Sequence, residues 1–307
     1  MKALLLALGL LAGSVQAAEL QGDTRAHDPT LLVGDGGVLH VFTTGPGIQR
    51  LRSTDGGKTW ERQAPLLSAA PAWWAEAVPE HKGLDVWAPK LFRHAGRTWV
   101  LYSISTFGKN RSAIGLASSA DADATEWRDD GLIVQSQRGD DFNAIDPDVM
   151  RDRDGRLWMS YGSFWNGIRL TELDAKTLRP IGETRFIARN KPGIEAPTLL
   201  RRGDWVYLFV SHDFCCRGVQ STYNIRVGRA RDVASPFVDR DGRPMLEGGG
   251  TLLEAGGPRW KGPGHQDAVG DILVRHAYDA EDGGKPHLRL SRLSWSMDGW
   301  PVIPAEE

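Results

Sequence analysis

The sequence has 307 residues, of which 41% are hydrophobic and 25% are charged, and its formal net charge is −2. A chain of this length can bury a large core, and its composition excludes both a disordered protein and one that binds nucleic acid through a basic surface. Its 36 glycines, 17 prolines and 12 tryptophans are typical of many short strands joined by turns.

The first 17 residues have the features of a secretory signal peptide. Lys2 precedes an apolar run at residues 3–12, and the small residues at 15–17 fit a cleavage site. We therefore expect cleavage after Ala17, export to the periplasm or the medium, and a mature chain of residues 18–307. The apolar run is too short for a stable anchor and no later stretch is long enough, so we expect no membrane partner.

One sequence unit recurs along the mature chain. Each copy places a polar residue beside a proline, and then has an apolar run, a turn and an aromatic-rich strand. The copies begin at His27-Asp28-Pro29, Trp87-Ala88-Pro89, Ile145-Asp146-Pro147, Glu195-Ala196-Pro197 and, less regularly, Gly264-His265-Gln266. A spacing of 50 to 68 residues suits one four-stranded sheet with its loops. The pattern predicts an all-β fold, a five-bladed β-propeller in one domain, with a β-sandwich as the alternative.

Residues 53–60 match an Asp-box hairpin, which occurs on the outer part of propeller blades. Ser53 and Asp55 are expected to bind turn amides while Trp60 packs beneath them. Residues 119–127 carry a degenerate copy of the same motif. We interpret both as structural elements.

The two cysteines, Cys215 and Cys216, are adjacent in the sequence. Two adjacent cysteines provide neither a disulfide framework nor the ligand spacing of a zinc site. A vicinal disulfide is one interpretation in an oxidising compartment, and two small buried thiols are the other.

Three of the unit starts carry an acid, namely Asp28, Asp146 and Glu195. Because the innermost strand of each propeller blade lines the axis, equivalent residues converge at one end of it. A single acid beside a proline could be a turn cap. Three acids at equivalent positions would bring like charges together, which destabilises a fold unless the acids act on a bound ligand. Converging carboxyl groups and aromatic rings favour glycoside hydrolysis, in which one acid protonates the leaving oxygen and a second activates water or attacks the sugar. A third acid can raise the pKa of the proton donor.

Further short motifs follow one another in order along the chain: Ser105-Thr106-Phe107-Gly108, Asn143-Ala144-Ile145-Asp146, Gly162-Ser163-Phe164-Trp165, Asp213-Phe214-Cys215-Cys216-Arg217-Gly218 and Gly262-Pro263-Gly264-His265. With these motifs and the unit starts, the sequence resembles glycoside hydrolase family 43, a family of five-bladed propeller enzymes that invert the anomeric centre. Within that family it is most similar to the arabinan endo-1,5-α-L-arabinanases. The resemblance covers nearly the whole mature chain.

The resemblance implies roles for individual residues. Asp28 would be the general base that activates water, Glu195 the general acid, and Asp146 the residue that tunes the pKa of Glu195 and orients the sugar. The substrate cleft would be lined by Asp28, Trp87, Gly108, Asn143, Ala144, Ile145, Asp146, Ser163, Phe164 and Trp165. For Trp87, as for Phe107, packing within a blade is the alternative.

The resemblance also implies an ion on the propeller axis near His265, commonly calcium. Calcium prefers oxygen ligands, so one histidine with water molecules would be an unusual coordination shell. A histidine that only hydrogen-bonds near the acids is the alternative.

Two positions depart from the family pattern. Lys90 follows Trp87-Ala88-Pro89 where the family commonly has an acid, which leaves open any salt bridge made there. His212 stands where an aromatic residue is more usual, and we expect it to change the rim of the cleft.

Three other functions compete with an endo-arabinanase. A sialidase would need a tyrosine nucleophile and an arginine cluster, whereas acids begin the inner strands here. A non-catalytic sugar-binding propeller would not need Asp28 and Glu195 as a pair. An exo-acting α-L-arabinofuranosidase or β-xylosidase of the same family differs in the shape of its loops. We expect a secreted monomer that acts on arabinan and arabino-oligosaccharides, without a nucleic-acid partner or an accessory carbohydrate-binding domain.

Overall fold

The computed structural model of the chain describes residues 19–304. The predicted signal peptide and its cleavage after Ala17 lie outside these residues. Within them the fold is built almost wholly from strands, with one short α-helix, α1 (Trp74–Ala77). No helix in this part of the chain has the length and apolar character needed to cross a membrane.

The strands follow one another as antiparallel meanders. In chain order they are β1 (Gln21–Gly22), β2 (Thr30–Val33), β3 (Leu39–Thr43), β4 (Gly45–Pro46), β5 (Gln49–Ser53), β6 (Thr59–Gln63), β7 (Asp85–His94), β8 (Arg97–Ile104), β9 (Ser112–Ser119), β10 (Arg128–Ser136), β11 (Asp148–Arg151), β12 (Leu157–Tyr161), β13 (Ile168–Leu173), β14 (Pro180–Ala188), β15 (Ile194–Arg202), β16 (Trp205–His212), β17 (Asn224–Ala230), β18 (Thr251–Glu254), β19 (Trp260–Val269), β20 (Ile272–Asp279), β21 (Lys285–Arg292), β22 (Ser294–Trp295) and β23 (Pro301–Val302).

These strands make five blades around one axis, which confirms the predicted five-bladed β-propeller. Blade 1 contains β2, β3, β5 and β6, blade 2 contains β7 to β10, blade 3 contains β11 to β14, blade 4 contains β15 to β18, and blade 5 contains β19 to β21. Each of the five hydrophobic clusters combines side chains from two neighbouring blades, as Phe92 and Leu101 of blade 2 do with Val149 and Leu157 of blade 3. The core therefore lies between blades, and burial of apolar surface holds each blade against the next.

The N-terminal segment completes the last blade. Leu288 of β21 donates its N–H to the carbonyl of Thr24 (2.7 Å), and Ala26 donates to the carbonyl of Pro286 (3.3 Å). Residues 24–26 therefore lie beside β21 as the fourth strand of blade 5. This pairing closes the ring and covers an edge that would otherwise be open.

The outer hairpin of blade 1 is the predicted Asp box. Asp55 Oδ1 accepts the N–H groups of Lys58 and Thr59 at 3.0 and 2.9 Å, and Ser53 Oγ donates to the same oxygen at 2.8 Å. Trp60 is buried beneath the turn and donates its indole N–H to the carbonyl of Gly57. The motif stabilises the hairpin between β5 and β6, as its sequence indicates.

At each unit start, in or just before the inner strand, lies a residue in the left-handed region of backbone space. The five equivalent residues, with φ between 46° and 57°, are Asp28, Ala88, Asp146, Ala196 and His265. None is glycine, and such a conformation costs about 1–2 kcal/mol per residue. The pairing register of β7, β15 and β19 with the next strand shifts at this position, so the kink is part of the repeat. It brings the side chains of the unit starts to one end of the axis.

Two residues further along each inner strand lies a buried polar residue, and we call this set the axial ring: Thr30, Lys90, Asp148, Thr198 and Asp267. Lys90 Nζ lies 2.6 Å from Asp148 Oδ1 and 2.7 Å from Asp267 Oδ1. Thr30 donates its hydroxyl to Asp267 Oδ2 at 2.6 Å. Lys90, the departure from the family pattern, thus joins blade 2 to blades 3 and 5 through two ion pairs.

Candidate active site

A cavity of about 890 Å³ opens at the end of the axis where the inner strands begin. Asp28, Asp146 and Glu195 all lie in its lining, together with His265. The structure therefore brings the three predicted acids and the predicted metal ligand together at one site, although they belong to four different blades.

Most of the predicted cleft residues also line this cavity, namely Trp87, Gly108, Asn143, Ile145, Ser163, Phe164 and Trp165. Ala144 does not, because it is fully buried behind the wall, where its N–H donates to Ser136 Oγ at 2.9 Å. His212 is also buried and absent from the lining, so the expected change of the rim at that position is not found.

Glu195 is buried and held by two hydroxyl groups. Ser163 Oγ donates to Oε2 at 2.6 Å and Tyr223 Oη donates to Oε1 at 2.7 Å. Burial nevertheless raises the pKa of Glu195, outweighing the two hydrogen bonds, and the negative charge of Asp28 acts in the same direction. Glu195 is therefore suited to keep a proton above the pH at which an exposed glutamate loses it.

Asp146 is the second carboxyl group with a raised pKa. Its Oδ2 accepts the N–H of Ala196 at 3.1 Å, but burial and the charges of Glu195 and Asp28 raise its pKa well above the usual value. Because Asp146 and Glu195 repel each other when both are ionised, they titrate as a pair. The raised pKa values favour retention of a proton by the pair, which is suited to supply it to a substrate.

Asp28 behaves in the opposite way. Burial alone would raise its pKa, but His265, His27 and His276 outweigh that effect and hold the pKa of Asp28 well below its usual range. Asp28 Oδ2 lies 2.9 Å from His27 Nδ1 and accepts the Thr44 hydroxyl at 2.6 Å, while Oδ1 lies 3.2 Å from His265 Nδ1. One cavity thus holds an ionised carboxylate and a protonated carboxyl pair.

His265 has the surroundings of a possible metal ligand. Its Nδ1 faces Asp28, and within residues 19–304 no hydrogen bond to its Nε2 is found. A carboxylate on one ring nitrogen commonly orients the other toward an ion, and burial lowers the pKa of His265 so that the ring is neutral, as a ligand must be. The residues present therefore fit a cation held by one imidazole nitrogen, with water as the remaining ligands.

A second group of possible metal donors is already engaged. The side chains of His27, Asp28 and His276 place three ligand atoms within 4.8 Å of one another. However, His276 Nδ1 accepts the N–H of Asp28 at 3.1 Å, and His27 Nδ1 contacts the Asp28 carboxylate. These two nitrogens and the carboxylate are therefore engaged with one another, whereas His276 Nε2 is buried without a hydrogen-bond partner in the part of the chain that the structure describes.

Aromatic side chains form the mouth of the cavity. Phe107 is 78% exposed and Trp165 is 46% exposed, so neither is packed within a blade. Phe164 lies against Phe214 with ring centroids 5.8 Å apart, and the Arg217 guanidinium covers the Phe214 ring at 4.2 Å. Exposed rings at the mouth of a concave site can stack on sugar faces.

Sequence reasoning left the state of one group of this site open and missed two others. Cys215 and Cys216 form a vicinal disulfide that lines the cavity, so the disulfide interpretation of the adjacent cysteines is confirmed. His276 and Tyr278 come from β20, the second strand of blade 5, and no motif marks them. The only available signal was their spacing of two residues, which puts both on one face of a strand.

A five-bladed propeller whose axial cavity holds an ionised carboxylate beside a protonated carboxyl pair defines a class of protein, the propeller hydrolases that work by general acid–base catalysis. Comparison with known proteins narrows this class to a family. Residues 22–301 match the family model described as glycosyl hydrolases family 43. The chain belongs to this family, as its motifs indicated.

The relatives are similar over nearly the whole chain. The extracellular endo-α-(1→5)-L-arabinanase 1 of Bacillus subtilis strain 168 is 44% identical over 96% of this chain and 94% of its own length. The extracellular exo-α-(1→5)-L-arabinofuranosidase of Cellvibrio japonicus is 37% identical over 98% of this chain and 92% of its own length. Among solved structures, the family 43 endo-arabinanase from Bacillus licheniformis superposes with a TM-score of 0.90 at 44% identity, covering 93% of this chain and 99% of that one.

Proposed function

We propose that the protein is a secreted endo-arabinanase that cleaves internal α-1,5-L-arabinofuranosidic bonds of arabinan with inversion. The observation that carries this proposal is the opposite protonation of carboxyl groups in one cavity. Three histidines lower the pKa of Asp28, whereas burial and neighbouring acidic charge raise the pKa values of the coupled pair Asp146 and Glu195. Inverting hydrolysis needs this combination, a base for water on one side of the sugar and an acid for the leaving oxygen on the other.

In the proposed reaction Asp28 accepts a proton from a water molecule as the water oxygen attacks the anomeric carbon. Glu195 gives its proton to the glycosidic oxygen, and the bond to the leaving sugar breaks. In this reaction the proton shared by the coupled pair lies on Glu195 and Asp146 is ionised, so that the charge of Asp146 keeps the pKa of Glu195 raised until the transfer. For water to fit between them, the carboxyl groups of Asp28 and Glu195 should be about 6.5–9.5 Å apart.

A cation at His265 is part of the proposal. His265 would hold it through the ring nitrogen that does not face Asp28, with calcium as the expected ion. A bound cation would add positive charge beside the acid cluster. The chain's own contribution is to keep His265 neutral and oriented through Asp28.

Exo-acting hydrolysis is the second candidate, supported by the similarity to the Cellvibrio japonicus exo-enzyme. The two modes differ in their products on linear arabinan. Endo cleavage should lower the viscosity rapidly and release arabino-oligosaccharides, whereas exo cleavage should release only small products while viscosity falls slowly. The absence of any product would support a sugar-binding propeller and overturn the proposal.

The secreted state and the partners follow the same proposal. A signal peptide ending near Ala17 and relatives described as extracellular support export. We expect arabinan and arabino-oligosaccharides as substrates, and a monomer in solution. Mass spectrometry of the exported protein would test the cleavage position, and light scattering would test the oligomeric state.

A further inference from the structure

A row of hydrogen bonds connects the disulfide loop to Asp28 across three blades. The N–H of Cys216, in the loop after β16, donates to Tyr278 Oη at 2.8 Å. Tyr278 Oη lies 2.9 Å from His27 Nε2, and His27 Nδ1 lies 2.9 Å from Asp28 Oδ2. We call these three contacts the His27 relay. No sequence motif joins its members, since they come from blades 4, 5 and 1.

The direction of these hydrogen bonds is set by the groups at both ends. The Asp28 carboxylate can only accept, so His27 Nδ1 carries a hydrogen and Nε2 of the neutral ring is an acceptor. A backbone N–H can only donate, so Tyr278 Oη accepts from Cys216 and can give its own proton to His27 Nε2. The hydrogen of the His27 ring then sits on Nδ1 and is donated to Asp28 Oδ2. If the ring is protonated, Nδ1 still donates to the same oxygen.

Packing fixes the plane of the His27 ring as well. Its ring stacks on His276, with centroids 4.1 Å apart and planes 22° apart, and His276 is itself fully buried. His276 Nδ1 accepts the N–H of Asp28. The backbone and the side chain of Asp28 are therefore held by two stacked imidazoles.

The two oxygens of Asp28 consequently have different surroundings. Oδ2 accepts from both Thr44 and His27, at 2.6 and 2.9 Å. Oδ1 has longer contacts, to His265 Nδ1 at 3.2 Å and to His276 Nδ1 at 3.5 Å, and the His276 nitrogen accepts the Asp28 N–H and so does not donate to Oδ1. Two short donors occupy Oδ2, so Oδ1 is the oxygen with room to accept a proton from water.

We propose that His27 is a positioning residue for Asp28, holding Oδ2 through Nδ1–H so that Oδ1 faces the attacking water, and that Tyr278 and the disulfide loop hold His27 in this orientation. The proposal rests on the proposed role of Asp28 as the general base. Displacing a reacting group by about 1 Å can lower the rate of a step by about 10²-fold.

Two substitutions at His27 distinguish loss of the hydrogen-bond donor to Asp28 from loss of the imidazole ring. In His27→Asn the side-chain amide nitrogen lies close to the place of Nδ1, so a donor to Asp28 is kept. In His27→Gln the amide nitrogen lies near the place of Nε2, so that donor is lost. We expect a loss of kcat below about fivefold for His27→Asn and of about 10–100-fold for His27→Gln, with KM changed less than about twofold in both.

A double-mutant cycle tests the outer part of the relay. Tyr278→Phe removes the oxygen between Cys216 and His27, and it should lower kcat about three- to tenfold in the wild-type background. In the His27→Asn background, where no group occupies the place of Nε2, Tyr278→Phe should cause no further loss. His94→Asn, on the β7–β8 hairpin far from the cavity, is the matched control for removal of an imidazole.

The outcomes separate the inference from the function on which it rests. If Asp28→Asn remains active on linear arabinan, the proposed function fails and the inference fails with it. If Asp28→Asn is inactive but His27→Gln keeps the wild-type kcat, only the positioning role is overturned. Equal kcat losses in His27→Asn and His27→Gln, at unchanged melting temperature, also overturn it. If His27→Gln does not fold, the double-mutant cycle of Tyr278→Phe with His27→Asn still tests the proposal. Equal effects of Tyr278→Phe on kcat in the wild-type and His27→Asn backgrounds would contradict the relay.

Discussion

Replacing Lys90 by methionine removes the only cation of the axial ring while keeping most of the side-chain volume. The Lys90 ammonium contacts Asp148 and Asp267 at 2.6 and 2.7 Å, and the side chains of all three are less than 10% exposed. Methionine would leave two carboxyl groups buried near each other without a counter-charge. Removing one partner of a buried ion pair destabilises a protein by about 3–5 kcal/mol, which is a fall in Tm on the order of 10 °C for a chain of this length.

The loss should depend on pH. Among the residues that the structure describes, Asp267 keeps donors from Thr30 and from the N–H groups of Leu31 and Ala268, whereas Asp148 keeps only the N–H of Leu199. Burial and the charge of Asp267 already raise the pKa of Asp148 despite Lys90, and without Lys90 this pKa rises further. A carboxyl group whose pKa is higher in the folded state stabilises the fold at low pH and loses that contribution as pH rises. Lys90→Met should therefore be more destabilised at pH 8 than at pH 5.

Thermal unfolding followed by circular dichroism at pH 5 and pH 8 measures both effects. Lys176→Met, at an exposed turn, is the matched control and should change stability by less than about 0.5 kcal/mol. Adding Asp148→Asn to Lys90→Met should recover part of the loss at pH 8, because it removes one unpaired charge. A Lys90→Met variant with the same Tm as the wild-type protein, or with an equal fall in Tm at pH 5 and pH 8, would refute the reasoning.

Three further predictions concern the cavity. Asp28→Asn and Glu195→Gln should each lower kcat on linear arabinan by about 10²–10⁴-fold while Tm changes little, and wild-type rates in either variant would contradict the assigned roles. Asp146→Asn removes a negative charge beside Glu195 and so lowers the pKa of the proton donor. The alkaline limb of its kcat–pH profile should therefore move to lower pH, and an unchanged profile would reject the tuning role. Adding calcium to chelator-treated protein should raise Tm in the wild type but not in His265→Ala, and an equal rise in both would remove His265 as the ligand.

The blades could be predicted from sequence because each one restarts with the same local pattern. Proline and a polar neighbour mark the point where the chain enters an inner strand, and that signal is local. Blade 5 has the weakest form of the pattern, with Gln266 in place of proline, and it was the least regular copy. Its completion by residues 24–26 carries no motif, since the strand pairing is made by backbone groups and only single side-chain contacts, such as Thr24 Oγ1 with His287 Nδ1, accompany it.

The acids could be predicted for the same reason, but their electrostatic surroundings could not. Asp28 and Glu195 are both buried acids at unit starts, and sequence alone gives them similar environments. The difference arises because His265, His27 and His276 surround Asp28, whereas the two hydroxyl donors of Glu195 do not offset its burial. Of these groups, His276, on β20, and Tyr223, beside β17, reach the axis only through strand pairing. Lys90 departs from the family pattern, yet its two partners, Asp148 and Asp267, lie far away in sequence, so only the folded ring explains it.

Closure of the ring by residues 24–26 links the order of synthesis to activity. The last blade lacks its edge strand until residues 24–26 pair with β21, so the ring cannot form before β21 has been made. Residues 24–26 lead directly into His27 and Asp28, so the event that completes the circle also sets the proposed base in place.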